Sequence, residues 1–82
     1  MYLEIVTPDE KIFEGEVVTA TFPGSHGSFQ ILNNHAPLIS ILGKGDVRYK
    51  EDNKKEQVLS VDGGVVEVLH NRVVVLAEKT SD

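Results

Sequence analysis

GSFQILNNHAPLISILGKG, residues 27–45, is the stretch that decides the fold. It alternates apolar and polar residues as a strand does, stops at two asparagines and a histidine, and passes through a proline into a second apolar run. Residues 28–32 and 37–42 therefore predict two short strands, with 33–35 as the turn between them and glycines at 43 and 45 ending the second.

The same short-strand pattern continues on both sides of this stretch. The further predicted strands, in chain order, are Tyr2 to Thr7, Lys11 to Gly15, Glu16 to Phe22, Asp46 to Glu51, Glu56 to Val61, Val65 to Leu69 and Arg72 to Ala77. Apolar residues nowhere recur at the spacing of an amphipathic helix. We therefore expect an all-β domain over residues 1–77, an antiparallel β-sandwich or flattened barrel of about 8–10 short strands, with a polar tail over 78–82 that frays.

The composition limits the classes of function. The 82 residues suffice for one domain, and the net charge is −5, from 13 acidic and 8 basic residues. Nucleic-acid binding is not expected, because it depends on basic residues that neutralise phosphates. No apolar run approaches the roughly 18 residues of a membrane-spanning helix, and residues 1–11 do not resemble a targeting segment. The lack of cysteine suits a reducing compartment such as the cytoplasm.

Histidine and serine are the residue types that could carry chemistry in this chain. His26, His35 and His70 lie in three different predicted loops and lack the spacing of metal ligands, so no metal is expected. Ser25 and Ser28 flank His26, but neighbouring residues do not normally point at each other. The sequence therefore predicts no catalytic residue and no cofactor. The plainest role for His35 is to stabilise its turn through a ring nitrogen.

Three segments together resemble one protein family. Residues 23–38 read PG-x-x-G-x-F-x-IL-x-x-HAPL, residues 3–13 read LEIVTPDEKIF, and residues 60–80 read SVDGGVVEVLHNRVVVLAEKT. This combination resembles the signature of the epsilon subunit of bacterial and chloroplast rotary ATP synthases, whose mitochondrial equivalent is called delta. Two positions depart from it: Gln30 stands where the family often has glycine, and Ser28 stands where some relatives have an acidic residue.

The resemblance implies a non-catalytic subunit of the rotor. Members of the family sit at the foot of the central stalk, pack against the gamma subunit and rest on the ring of c subunits, which couples proton flow to ATP synthesis. A chain with this role would be a peripheral membrane protein on the cytoplasmic face of the bacterial inner membrane. The ATP synthase complex would hold it there without direct membrane insertion, and it would need no cofactor of its own.

The resemblance also carries contact residues onto this chain. Four positions match or adjoin places that lie against gamma: Thr7, His35, Leu38 and Ser40. Three positions share the loop expected to face the c-ring: His26, Gly27 and Ser28. Pro37, which follows His35, has a fixed φ and no N–H group that a covering protein would leave without a partner. We therefore expect the segment from His35 to Pro37 to be part of a docking surface.

Two other functions are compatible with these residues. A free-standing β-barrel module that binds a peptide or a small ligand would have the same fold, but it would not form a tight one-to-one complex with a gamma subunit. A small hydrolase could use Ser25 or Ser28 with His26. That enzyme would need a third group to orient the histidine, and the sequence places none.

One feature of many family members is expected to be missing. In those proteins the sandwich continues into a pair of C-terminal helices, which can inhibit ATP hydrolysis and in some relatives bind ATP. Residues 78–82 could form little more than one helical turn and contain no apolar residue. We therefore expect neither the inhibitory helices nor the nucleotide site in this chain.

Overall fold

Nine strands make up this computed structural model, which describes residues 1–78. They are β1 (Tyr2–Val6), β2 (Lys11–Glu16), β3 (Thr19–Gly24), β4 (Gly27–Leu32), β5 (Leu38–Leu42), β6 (Gly45–Lys50), β7 (Gln57–Val61), β8 (Gly64–Leu69) and β9 (Arg72–Ala77). The expected all-β class is confirmed. Nothing within residues 1–78 is a helix long and apolar enough to cross a bilayer. Of the tail predicted over 78–82, all but Glu78 lies outside the described residues.

Period-two alternation produces these strands. In β8 the buried residues Val66 and Val68 alternate with exposed neighbours, and in β9 Val73 and Val75 are the buried members. Valine is branched at Cβ, which favours the pleated and half-buried surface of a strand over a helix. Pattern and propensity therefore agree in the segments that form the centre of the sheet.

One curled sheet folds into two packed layers. Its strand order is β2-β1-β9-β8-β5-β3-β6-β7, with β4 also paired to β3. The first layer is β2, β1, β9, β8 and β5, and the second is β4, β3, β6 and β7. The layers join where β3 meets β5 at a single pair, Gly24 with Leu42. One pairing is parallel, between β1 and β9. Strand patterns could not reveal this pairing, because the two strands come from opposite ends of the chain.

The inner sides of the two layers enclose an apolar core. Phe22, Leu3, Ile5 and Ile31 are among its fully buried side chains, and each such residue stabilises the fold by about 1.5–3 kcal/mol. Within residues 1–78 no polar or charged side chain is buried. Every group that could recognise a partner by charge or hydrogen bonding therefore lies on the outside of the sandwich.

Left-handed residues close the turns. His70 and Asn71 have φ of +52° and +60°, and Leu69 pairs directly with Arg72 across them, which confirms the two-residue hairpin expected there. Gly64 has φ of +144°, and a Cβ atom at this position would collide with the carbonyl oxygen of Leu76. Only glycine fits there without displacing β9.

The turns gather at two ends of the sandwich, named here after one residue each. The Ser25 end holds the turns that follow β1, β3, β5 and β7, and is tied together by bonds such as Gly43 N–H to Pro23 O at 2.7 Å. The Asn71 end holds the turns that follow β2, β4, β6 and β8. There the N–H of Asn34 donates to Asn71 Oδ1 at 2.8 Å. The segment between β4 and β5 is thereby fixed against the last hairpin.

Candidate interaction surface

Large apolar side chains are exposed on the outer side of the first layer. The face that they form, called the apolar face below, consists of Ile39, Ile41, Val65, Leu69 and Leu76. Ile39 and Ile41 are 69% and 65% exposed, so most of each side chain lies in water. Apolar residues that are exposed singly need no explanation, but a group of them on one face is typical of a surface that contacts a protein, a membrane or a ligand.

The strand register makes part of this face continuous. Ile41 pairs with Val65, Val65 pairs with Leu76, and Leu76 pairs with the half-buried Val6. Side chains that are directly opposed across a sheet have Cβ atoms only about 4.5–5.5 Å apart. An uninterrupted apolar row therefore crosses four strands, from β5 to β1.

A shallow, mainly apolar groove lies at each end of the apolar face. The groove at the Asn71 end has a volume of about 350 Å³ and is lined by Pro37, Leu38, Ile39, Glu67, Val68 and Leu69. The groove at the Ser25 end has a volume of about 370 Å³ and is lined by Val6, Thr7, Pro8, Leu76, Ala77 and Glu78. Each groove contains one residue expected at a gamma interface: Leu38 in the first and Thr7 in the second.

His35 is exposed at the Asn71 end, two residues before Pro37. Its Nδ1 lies 2.8 Å from the carbonyl oxygen of Ala36. Because a carbonyl oxygen can only accept, Nδ1 carries the proton, and in the neutral ring Nε2 is an acceptor. The ring is thus held by a hydrogen bond within its own segment, and Nε2 is the ring nitrogen that can accept a hydrogen bond from another group.

Leu38 and Ser40 point away from the exposed isoleucines beside them. Each pairs with a buried valine of β8, so both side chains face the inner side of the sheet, and Leu38 packs against the core. Ile39 and Ile41 alternate with them and face outward. Sequence reasoning missed these two isoleucines, although strand alternation alone requires them to lie on the side opposite Leu38 and Ser40.

Thr7 lies at the Ser25 end, far from His35. It is half-buried, and it closes the turn after β1 with Glu10: the Thr7 N–H donates to Glu10 O at 2.8 Å, and the Glu10 N–H donates to Thr7 Oγ1 at 3.2 Å. Thr7 and His35 are therefore at opposite ends of the sandwich, separated along the strand direction by about the length of a five-residue strand, roughly 17 Å. Of the four residues expected against gamma, His35, Leu38 and Ser40 therefore follow one another closely along the segment that leads into β5, whereas Thr7 lies at the opposite end of the layer.

The three residues expected to face a c-ring share the hairpin between β3 and β4. Gly24 pairs with Gly27, so Ser25 and His26 form the tip, and Gly27 has φ of +128°. His26, Gly27 and Ser28 are all exposed at the Ser25 end. A Cβ atom on Gly24 would meet the Gly27 carbonyl oxygen, so the two strands approach closely here. The hairpin presents a narrow tip with few side chains.

The outer side of the second layer has a different character. Its exposed or half-exposed side chains, called the polar face below, are mainly polar: they include Thr21, Gln30, Asp46, Arg48 and Ser60, beside the aliphatic Leu32 and Val58. Arg48 lies 3.6 Å from Asp46 and 3.4 Å from Glu56, and the Ser60 hydroxyl donates to Asp46 at 2.8 Å. The charges of this face are therefore paired with one another.

A charged cluster occupies the part of the first layer beyond the apolar face. Lys11 lies 3.1 Å from Glu14 and 3.4 Å from Glu4, and Arg72 lies 3.2 Å from Glu4. The Tyr2 hydroxyl donates to Glu14, and the Arg72 guanidinium lies 4.5 Å from the centroid of the Tyr2 ring. The hydrogen bond from Tyr2, followed by the one from Lys11, lowers the pKa of Glu14. The same bond raises the pKa of Tyr2.

No arrangement for catalysis or metal binding is found in residues 1–78. Contrary to the expectation for adjacent residues, Ser25 Oγ lies 3.1 Å from His26 Nδ1. Among the described residues, however, no carboxylate contacts His26, and the pair sits on an exposed hairpin tip. His26, His35 and His70 lie in three separate turns. No group of three or more His, Cys, Asp or Glu side chains is placed to hold a metal ion within the described range.

Comparison with known proteins gives one consistent family. The family model described as "ATP synthase, Delta/Epsilon chain, beta-sandwich domain" matches residues 1–81. An ATP synthase epsilon chain of Chlorobium limicola is 42% identical over 79 residues, which cover 96% of this chain and 90% of that protein. An ATP synthase epsilon chain of Maridesulfovibrio salexigens is 45% identical over 78 residues, which cover 95% of this chain and 54% of that protein.

A solved structure shows the same fold. A chain in the cryo-EM structure of the Euglena gracilis mitochondrial ATP synthase (OSCP, F1 and c-ring) superposes with a TM-score of 0.89 and 21% identity. The match covers 96% of this chain and 51% of the Euglena chain. The present chain thus spans nearly all of one relative and about half of the others described here.

Proposed function

The chain belongs to the family of ATP synthase delta and epsilon chains, through their β-sandwich domain, and on this premise we propose that it is a non-catalytic subunit of the rotor's central stalk. In this role it joins the gamma subunit to the c-ring and couples proton flow to ATP synthesis. It works on the cytoplasmic face of the bacterial inner membrane, to which the ATP synthase complex holds it.

The observation that carries this proposal is the apolar face. Adjoining apolar side chains exposed on one face are typical of a subunit that binds a partner, and a permanent partner would bury Ile39 and Ile41, which are each exposed by about two thirds. The row from Ile41 through Val65 to Leu76 supplies the centre of a contact with gamma. His35 at one end and Thr7 at the other lie at its margins, where polar side chains are expected.

The hairpin tip at the Ser25 end supplies the second contact, with the c-ring. His26, Gly27 and Ser28 are exposed there, at the end of the layer and not on its apolar face. The two contacts are therefore separate surfaces of one stiff body, whose strands are cross-linked by hydrogen-bonded pairs along their length. A stiff body with two attachments can transmit a twist from the ring to the stalk without storing it in a flexible joint.

The proposal predicts a stable one-to-one complex with gamma. The full chain is co-expressed with the gamma subunit of the same organism, purified through a tag on gamma and analysed by sedimentation. We expect the two chains to sediment together in equal amounts. If the chain separates from gamma at micromolar concentration, the stalk role is contradicted, and a free-standing ligand-binding module becomes the better interpretation.

A further inference from the structure

Glu67 is a single carboxylate in the middle of the apolar face. On one side it pairs with Ile39 in β5, and on the other with Val74 in β9. Along its own strand the next residues on the same side are Val65 and Leu69. The side chain is exposed, and every neighbour that the register gives it is apolar.

Glu67 has no ion pair or hydrogen bond to any of residues 1–78, unlike the charges of the polar face and of the charged cluster. Arg72 is the cation closest to it in the register with β9, two pairs further along that strand. The Arg72 guanidinium is directed toward β1 instead, where it bonds Glu4 at 3.2 Å and lies over the ring of Tyr2. Among residues 1–78, therefore, no side chain partners the Glu67 carboxylate, which is exposed to water.

A protein that covers the apolar face must also cover Glu67. The carboxylate would lose its water, and a buried charge without a partner is strongly unfavourable. A cationic group of the partner with suitable geometry offsets this penalty. Because Ile39 and Leu69 flank Glu67, the partner cannot bury these two residues and leave the carboxylate in solvent.

We propose that gamma inserts a lysine or arginine side chain into the groove at the Asn71 end and pairs it with Glu67. This inference rests on the proposed function, since it takes gamma as the protein that covers the face. The groove, of about 350 Å³, has apolar walls from Pro37, Ile39 and Leu69, with Glu67 as its carboxylate. Such a groove fits a long basic side chain, whose aliphatic stem packs on apolar walls while its charged end reaches a carboxylate.

The test compares two glutamate-to-glutamine variants of the full chain. Glu67→Gln removes the proposed charge and keeps the shape of the side chain. Glu16→Gln is the matched control, because Glu16 is also exposed on a strand of the same layer, outside the apolar face, and forms no ion pair with any of residues 1–78. Binding to gamma is measured by calorimetric titration, and the melting temperature of each variant establishes that it is folded.

A buried cation on gamma predicts that Glu67→Gln weakens binding at least about thirtyfold, because truncating one member of such a pair leaves the other charge buried and alone. Glu16→Gln should bind as the unchanged chain does. Unchanged or tighter binding by Glu67→Gln overturns the inference and leaves the stalk role intact, since removal of an unpaired buried charge helps binding.

Two further outcomes also overturn the inference, and the measurements distinguish them from each other. If the unchanged chain does not bind gamma, the proposed function fails first and the inference fails with it. If the chain forms a dimer in sedimentation that Glu67→Gln disrupts, a second copy of the chain covers the apolar face, and its own basic residue is the partner of Glu67.

Discussion

The apolar face and the polar face are the outer sides of two layers of the same curled sheet. They differ in how many of their charged side chains are paired within the chain and in how much apolar surface they expose to water. On the polar face, Arg48 is shared between Asp46 and Glu56, and Ser60 bonds Asp46. On the apolar face, Glu67 has no protein partner within residues 1–78, and isoleucine side chains lie in water. The polar face thus pairs its own charges, whereas on the apolar face the proposed contact with gamma would supply the partner that Glu67 lacks among residues 1–78.

Overall hydrophobicity does not distinguish the two faces. The polar face also has an exposed aliphatic residue, Val58, but it pairs across the strands with Arg48 and is surrounded by polar groups. Ile41, in contrast, belongs to an apolar row that continues through Val65 and Leu76. We therefore expect the face with the continuous apolar row to be the one that binds gamma, and three experiments test this expectation.

The largest effect is expected from a charge placed in the apolar row. Ile41→Asp should reduce affinity for gamma at least about a hundredfold, because the interface would bury a carboxylate without a partner. The isolated domain should keep its fold, since Ile41 is 65% exposed and makes little contact with the core. Calorimetric titration against gamma measures the affinity, and circular dichroism checks the fold.

The matched control for this variant is Val58→Asp on the polar face. Val58 is 51% exposed and lies within a strand, as Ile41 does. We expect its replacement to leave gamma affinity within about twofold, because exposed substitutions away from an interface usually have small effects. Equal losses of affinity in the two variants would remove the distinction between the faces.

A smaller effect is expected at the margin of the apolar face. His35→Glu exchanges the ring whose Nδ1 donates to Ala36 O for a carboxylate, and we expect about a tenfold loss of gamma affinity. As a control, Lys54 and Lys55 are both changed to serine. They lie on the exposed tip between β6 and β7, in the second layer, so neither assembly nor proton-driven ATP synthesis should change. Unchanged affinity of the His35 variant would leave this histidine as a turn residue only.

The smallest effect is expected from pH acting on the charged cluster. The pKa of Glu14 is lowered in the folded chain, mainly by the hydrogen bond from Tyr2 and then by that from Lys11. A lowered pKa means that the carboxylate stabilises the fold above its unfolded pKa and loses this effect as the pH falls through the folded value. The melting temperature of the unchanged chain should therefore be slightly higher than that of the Glu14→Gln variant at pH 7. The difference between the two should vanish in acid.

The affinity of the Glu14→Gln variant for gamma is measured as well. The apolar row contains no titratable group, and Glu14 lies beyond it on β2. Glu14→Gln should therefore bind gamma as the unchanged chain does at pH 7. A loss of affinity in this variant would extend the interface over the charged cluster. A difference in melting temperature that persists at pH 2 would show that the contribution of Glu14 is not electrostatic.

Much of the fold could be predicted from the sequence, because local patterns specify it. Alternation located each of the nine strands to within a few residues, and the His70-Asn71 pair predicted a hairpin that its left-handed geometry confirms. The site was less accessible. His35 and the tip at His26 could be named from the resemblance, and their contacts stay predictions. Ile39 and Ile41 were not predicted as surface residues, although alternation along β5 places them on the side of the sheet opposite Leu38 and Ser40.

The sequence by itself determined that this chain forms short strands, where they turn, and to which family it belongs, because spacing, turn residues and motif are local properties. Only the tertiary structure decided that β9 lies parallel to β1 and that Ile41, Val65 and Leu76 form one row. It alone also turned Arg72 toward Glu4 and left Glu67 without a partner among residues 1–78. These relations join residues far apart in the chain, and pairing between distant strands is set by how the whole sheet closes around its core.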